Sequence, residues 1–149
     1  MPYYLEDYAV GLETSFGTYL VSAEEIMEFG RRWDPQPFHV DPVAAARSPF
    51  GGLIASGWHT CGMAMKLIVD HGGVSAESSM GGAGLRKLSW DAPVRPGDEL
   101  RVVVRVLENR PSATKLDRGT IVLEVDAFNQ DNRRVLNFEL VGMIRRRPA

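Results

Sequence analysis

The sequence holds a single cysteine, Cys61, among 149 residues. That excludes an internal disulfide framework and any multi-thiolate zinc site, and it suits a reducing cytosol. No run of about 18 apolar residues occurs, so no membrane-spanning helix is expected. The first ten residues, MPYYLEDYAV, place Glu6 and Asp7 where a signal peptide would carry a basic region and an apolar core. Charge of one sign is scarce: 17 Lys and Arg against 19 Asp and Glu leave a formal charge of −2. This balance gives no electrostatic reason to expect nucleic acid. The one basic run, RRR at 145–147, reads as a solvated tail. There is no internal repeat, low-complexity tract or interdomain linker. With 44% hydrophobic and 24% charged residues, a single soluble, cytoplasmic α+β domain over residues 1–149 is expected.

The elements are punctuated by caps and breakers. Phe16 to Val21 is strand-like. Ser22 then offers an N-cap with Glu25 as its capping-box partner, and Ile26, Phe29 and Trp33 recur at helical spacing. Pro35 stops this helix before Asp34. A short helix is expected in DPVAAARS, with Asp41 as cap and Pro42 at its first position. SPFGG (48–52) is a loop. The following LIASGWHTCGMAMKLIVDHGG is the most apolar long segment, with Ile54, Trp58, Cys61, Met65 and Ile68 forming one helical stripe and Gly72–Gly73 as the stop. Such a helix should be central and buried. After residue 83 the period falls to two: Leu100, Val102, Val104 and Val106, then Ile121, Leu123, Val125 and Ala127, then Leu136, Phe138 and Leu140. Three or four long antiparallel strands should therefore cover the helix. Arg101 and Arg105 imply a wet outer face, and the long sheet edges favour pairing with a second copy.

The segment WDPQPFHVDPVAAARSPFGGLIASGWHT, with WDAPVRPGDELRVVVRV and AFNQDNRRVLNFEL further on, resembles the MaoC-like dehydratases, a family that includes (R)-specific enoyl-CoA hydratases. The likeness spans roughly residues 16 to 145. It implies the hotdog fold, an antiparallel sheet wrapped around a long central helix, and a homodimer or higher homo-oligomer. It implies reversible hydration of a 2-enoyl-CoA or related acyl thioester to a 3-hydroxyacyl thioester, with Asp34 and His39 as the catalytic pair. The Gly57 N–H would hold the thioester oxygen. Gln36, Ser56, Trp58 and Thr60 are expected at the substrate. The sequence departs from the pattern at Gln36, where the family often has Asn, and at Ser56, where it often has His. Near Met65 the family often has a Ser that supports the acid; Met65 cannot do so, which leaves Thr60 to reach Asp34.

Hydration of a conjugated thioester needs a base for water, an acid for the α-carbon and a donor for the enolate-like oxygen. A carboxylate and an imidazole suit the first two, and partial burial is expected to raise Asp34 towards a competent base. An N–H at a helix N-terminus suits the third. No metal or redox cofactor is called for. Pro35 and Pro37 restrict the chain between acid and imidazole, which reduces the entropy lost in holding them together.

Other residues read more simply. His59 is expected to be a hydrogen-bonded structural histidine, and His71 a helix C-terminal residue. Cys61, Met63 and Met65 read as core. GGAG (81–84) lacks the strand–turn–helix setting of a nucleotide loop. Arg86 and Lys87 are candidates for coenzyme A phosphates or an exposed strand face. Two competing functions remain open at this point: an acyl-CoA thioesterase, and a non-catalytic acyl-thioester-binding module.

Overall fold

The computed structural model describes residues 3–149. After a 3₁₀ turn at Leu5–Asp7 come strand β1 (Glu13–Leu20) and helix α1 (Ala23–Trp33). Two single-turn helices follow, α2 (Pro37–Val40) and α3 (Pro42–Ala46), and then the long helix α4 (Gly57–Asp70). Strands β2 (Ser79–Trp90), β3 (Glu99–Pro111), β4 (Arg118–Phe128) and β5 (Arg134–Arg145) complete the chain. The strands form one antiparallel sheet in the order β1-β3-β4-β5-β2, wrapped around α4. This is the hotdog arrangement of an α+β protein.

The period-two pattern sets the sheet's inner face. Leu100, Val102, Val104 and Val106 of β3 and Ile121, Leu123, Val125 and Ala127 of β4 are all buried. They join Met63, Ala64, Leu67 and Ile68 of α4 in one core. The buried stripe of α4 is therefore 59/60, 63/64 and 67/68, not the stripe through Trp58, Cys61 and Met65 that the sequence suggests. Trp58 is 58% exposed and Val69 51%. The helix also starts later than the apolar run: Leu53 to Ser56 are buried but lie outside it. Apolar residues on both sides of α4 made its orientation ambiguous, and the sheet settled it.

Caps follow the sequence closely. The Ser22 hydroxyl accepts from the Glu25 N–H, and α1 ends at Trp33 with Asp34 as C-cap. The Glu25 carboxylate turns instead to the Tyr19 hydroxyl, which donates to it at 2.6 Å. Asp41 accepts from the N–H groups of Val43 and Ala44.

The outer face is laced by ion pairs: Arg105 with Glu13 and Glu124, Arg86 with Glu108 and Glu139, and Arg134 with Asp91 and Asp126. Such exposed pairs add little stability, but they keep that face wet. Arg86 is thereby occupied on the sheet surface, away from the cleft described below. The C-terminal basic run is tied down rather than free, Arg146 pairing with Glu6 and Arg147 with Asp7. No helix among the described residues is long and apolar enough to cross a membrane.

Candidate active site

Asp34 and His39 are brought together by the end of one helix and the turn after it. The Asp34 N–H closes α1 on the Gly30 carbonyl, and Pro37 opens α2, whose third residue is His39. The segment lies so close to α1 that a Cβ on Gly30 would stand 2.9 Å from the Cβ of His39. Only glycine permits that approach. Residues 37–40 form a helical turn because Pro37 supplies the fixed φ of a first helical position.

His39 is buried, 4% exposed. Its Nδ1 lies 2.7 Å from the Ile54 carbonyl oxygen. A carbonyl only accepts, so Nδ1 carries the proton and donates it. Nε2 then faces Asp34 Oδ2 at 3.3 Å. Ile54 is itself held, its N–H donating to the Phe38 carbonyl, while the next residue, Ala55, donates to Val94.

Asp34 is supported on both oxygens. The Gln36 side-chain amide donates to Oδ1 at 2.8 Å, and the Ser56 hydroxyl donates to Oδ2 at 2.7 Å. Thr60, assigned that support from sequence, instead directs its hydroxyl at the Ser56 carbonyl, 3.4 Å away. Ser56 is nearer because the chain enters α4 through it, one turn before Thr60. The expectation that burial raises Asp34 is also corrected. Burial does raise its pKa, but the hydrogen bonds from Ser56 and Gln36 and the neighbouring His39 outweigh it and hold the carboxyl below its ordinary value.

A depressed folded-state pKa means that the folded protein binds fewer protons than the unfolded chain between the two values. The stability from Asp34 is complete above the ordinary carboxylate pKa and is lost as pH falls through the folded value. Ser56→Ala removes one donor, so the Asp34 titration should move to higher pH. Acid unfolding should begin at a correspondingly higher pH. Carboxylate NMR titration and acid-melting curves read the two effects, and an unmoved Asp34 titration would show that Ser56 does not hold it.

Gly57 opens α4, so its N–H has no intrahelical acceptor and lies at the positive end of the helix. The Trp90 ring presses on it: a Cβ on Gly57 would stand 2.3 Å from Trp90 Cε2. Trp90 also meets Trp58 edge-on, ring centres 5.3 Å apart. Asp34, Gln36, His39, Gly57, Trp58 and Thr60 all line one cleft of about 470 Å³, within the usual range for small-molecule sites. Ser56 is fully buried behind them. Phe38, Phe50 and Trp90 complete the walls. Sequence reading missed these three, because nothing local in SPFGG or LSWDAPV marks a cleft residue.

The other candidates lie elsewhere. His59 stacks on Phe29, centres 4.8 Å apart, and its buried Nδ1 has no hydrogen-bond partner, contrary to expectation. Burial pushes its pKa down, and Glu25 opposes this. His71 caps α4, its Nδ1 donating to the Leu67 carbonyl. Cys61 is half-buried, and burial raises its thiol, which disfavours the thiolate. Among the described residues no group of three or more His, Cys, Asp or Glu is placed to hold a metal ion.

Comparison with known proteins adds to this geometry. The family model described as MaoC like domain matches residues 10–127. YdeM of Bacillus subtilis, an uncharacterised protein, is 31% identical over 142 residues, covering 95% of this chain and 99% of that protein. A 3-hydroxybutyryl-CoA dehydratase of Methylorubrum extorquens is 33% identical over 113 residues, covering 72% of this chain and 66% of that protein. The crystal structure of a MaoC-like dehydratase from Rhodospirillum rubrum superposes with a TM-score of 0.88 at 41% identity, covering 99% of both chains.

Proposed function

The chain belongs to the MaoC-like dehydratase family, and from that premise we propose that it reversibly hydrates a 2-enoyl thioester of coenzyme A or a related carrier. The observation that carries this reading is the buried His39, Nδ1 fixed on a carbonyl and Nε2 3.3 Å from Asp34 Oδ2, in the same cleft as the α4 N-terminus. The dehydratase relative lends it support, being named for a four-carbon acyl-CoA.

In this reading a water sits between Nε2 and the Asp34 carboxylate and donates to both. The Gly57 N–H receives the thioester oxygen, drawing electrons from the conjugated double bond. Water oxygen bonds to the β-carbon as one of its protons passes to Nε2. An imidazole is ordinarily a stronger base than a carboxylate. The Asp34 carboxylate stabilises the imidazolium. The Nε2 proton then goes to the α-carbon, the enolate collapses to the thioester, and one water has been added.

Crotonyl-CoA should lose its conjugated-thioester absorbance when mixed with the protein. Folded protein that leaves crotonyl-CoA and every longer 2-enoyl-CoA unchanged would overturn the reading. Release of free thiol from saturated acyl-CoA would point to a thioesterase instead.

A homodimer is part of the same proposal. The twelve-residue β2 is an outer strand, mostly exposed, with Leu85 45% accessible. Beside it α4 shows Trp58 and Val69. A long apolar edge of this kind invites pairing with a second copy. Gly82→Pro removes an N–H and should shift the protein towards monomer in analytical ultracentrifugation. A wild-type protein that sediments as a monomer at all concentrations would exclude the dimer.

A further inference from the structure

We propose that Arg95 is a positioning residue that latches the turn carrying Phe50 and so fixes the wall against which an acyl group packs, an inference that rests on the acyl-thioester reading above. The turn joins α3 to α4. Its near end is tied by Ser48, whose hydroxyl donates to the Ala45 carbonyl and accepts from the Phe50 N–H. The Gly51 N–H closes the turn on the Ser48 carbonyl. Its far end is two glycines, Gly51 at φ +70° and then Gly52. Glycines leave the backbone there free to swivel, so the side of the turn that carries Phe50 needs a tie from outside it.

Arg95 supplies that tie. Its guanidinium donates to the Phe50 carbonyl at 2.6 Å, and a Cβ on Gly52 would stand 3.5 Å from the same guanidinium. The backbone of Arg95 is itself anchored. Its N–H donates to Asp98 Oδ2, and the Gln130 amide donates to the other oxygen of that buried carboxylate. Arg86, Arg105 and Arg134 are each held by two acids. Arg95 instead gives a charge-assisted bond, stronger than one between neutral groups, to a backbone carbonyl.

The latched ring leads to the acid–base pair. Phe50 meets Phe38 edge-on, centres 5.1 Å apart, and Phe38 meets His39 edge-on at 4.6 Å. Both phenylalanines line the cleft with His39. Phe50 is 37% exposed, so part of its ring is open to whatever enters. Trp58 lies on the flank assigned above to a second copy; Phe50, on the turn before α4, does not. A ring fixed before the ligand arrives needs no ordering on binding. Released, it would turn towards solvent, and the acyl group would lose an aromatic contact beside the catalytic pair.

The test is calorimetric affinity for the non-hydrolysable thioether analogue of butyryl-CoA, measured on wild-type protein, Arg95→Ala, Phe50→Ala and the double variant. Each single change should weaken binding about tenfold, as loss of an aromatic contact does. Phe50→Ala keeps the carbonyl that Arg95 holds but has no ring to position, so the double variant should bind no worse than Phe50→Ala. Arg95→Lys, whose ammonium also donates, should recover part of the loss. Arg95→Gln, two bonds shorter than arginine, replaces Arg95→Ala if that variant does not fold. Unchanged affinity without the arginine overturns the latch, and so do losses that add in the double variant.

The same proteins are then measured on the butyryl-pantetheine analogue, which carries no phosphate. An equal loss on both ligands supports the latch. A loss confined to the coenzyme A ligand makes Arg95 a phosphate contact and overturns it. Hydration of crotonyl-CoA is scored separately on the wild-type protein. Normal hydration with additive losses removes the latch alone. The expected affinities without any hydration keep the latch and remove the catalytic reading. A wild-type protein that binds neither analogue removes both.

Discussion

The His39→Gln variant should lose hydration activity by about 10²–10⁴-fold in kcat, the usual worth of a positioned acid–base group. KM for crotonyl-CoA should change little, because the proposed reading assigns the thioester oxygen to the Gly57 N–H and the acyl group to the aromatic walls. Glutamine is chosen over alanine because the imidazole is 4% exposed and holds the Ile54 carbonyl. Alanine would leave that carbonyl unpaired, at a cost of about 1–3 kcal/mol. Asp34→Asn should lower kcat as well, with the fold retained: its oxygen still accepts from Ser56, and its amide meets a Gln36 side chain that flips to present oxygen. In the proposed mechanism the pair acts on one water, so the double variant should be scarcely worse than His39→Gln alone. Steady-state kinetics on the three variants read this directly. Full activity in either single variant would remove that residue from the chemistry.

Gly57→Ala should be nearly as damaging, and for a steric reason. The added methyl would fall 2.3–2.7 Å from three atoms of the Trp90 ring. Either the indole swings out or the first turn of α4 moves. Overpacking of this kind costs about 1–3 kcal/mol. A displaced N–H should lower kcat by about 10²–10³-fold, as loss of an oxyanion donor does. The clash has a partner, which makes the prediction sharp. In a Trp90→Ala background the same substitution should be close to neutral in stability, so thermal melts of the four proteins form a double-mutant cycle with a large coupling. If Gly57→Ala costs the same with and without the indole, the glycine is there for another reason.

The sequence made Asp34, His39 and Gly57 legible because each marks an element end: a proline stops α1 at Asp34, a proline starts the turn that carries His39, and a glycine opens α4. These are local backbone facts, and local signals are what sequence reading recovers best. The strands β3, β4 and β5 were legible for a similar reason, their apolar residues alternating against charge. Strand β2 was not. Its stretch SMGGAGLRKLSW lacks alternation because, as an outer strand, it is mostly exposed. Orientation of α4 also escaped, since Trp58, Cys61, Met65 and Val69 are as apolar as the face that is buried. The support of Asp34 by Ser56 links residues 22 apart, and the contact of Trp90 with Gly57 links residues 33 positions apart. Neither carries a periodic signature, and both depend on where the sheet sets the loop after Trp90.

The strand order β1-β3-β4-β5-β2 has a kinetic consequence. Strands β3 to β5 form a meander of successive hairpins and need only local closures to assemble. Strand β1 must wait for β3, whose partner residues lie some eighty to ninety positions later, as in Glu13 with Arg105. Strand β2 must wait for β5, the last strand made. Long-range closures of this kind are slow, and here they bracket residues 21–78, which contain both Asp34 and His39. On the ribosome, then, the apolar helix and the Asp34–His39 turn emerge well before the sheet that will hold them. The arrangement of Asp34 and His39 in the cleft is therefore a late event, and the apolar face of α4 stays uncovered until residue 145 has been made.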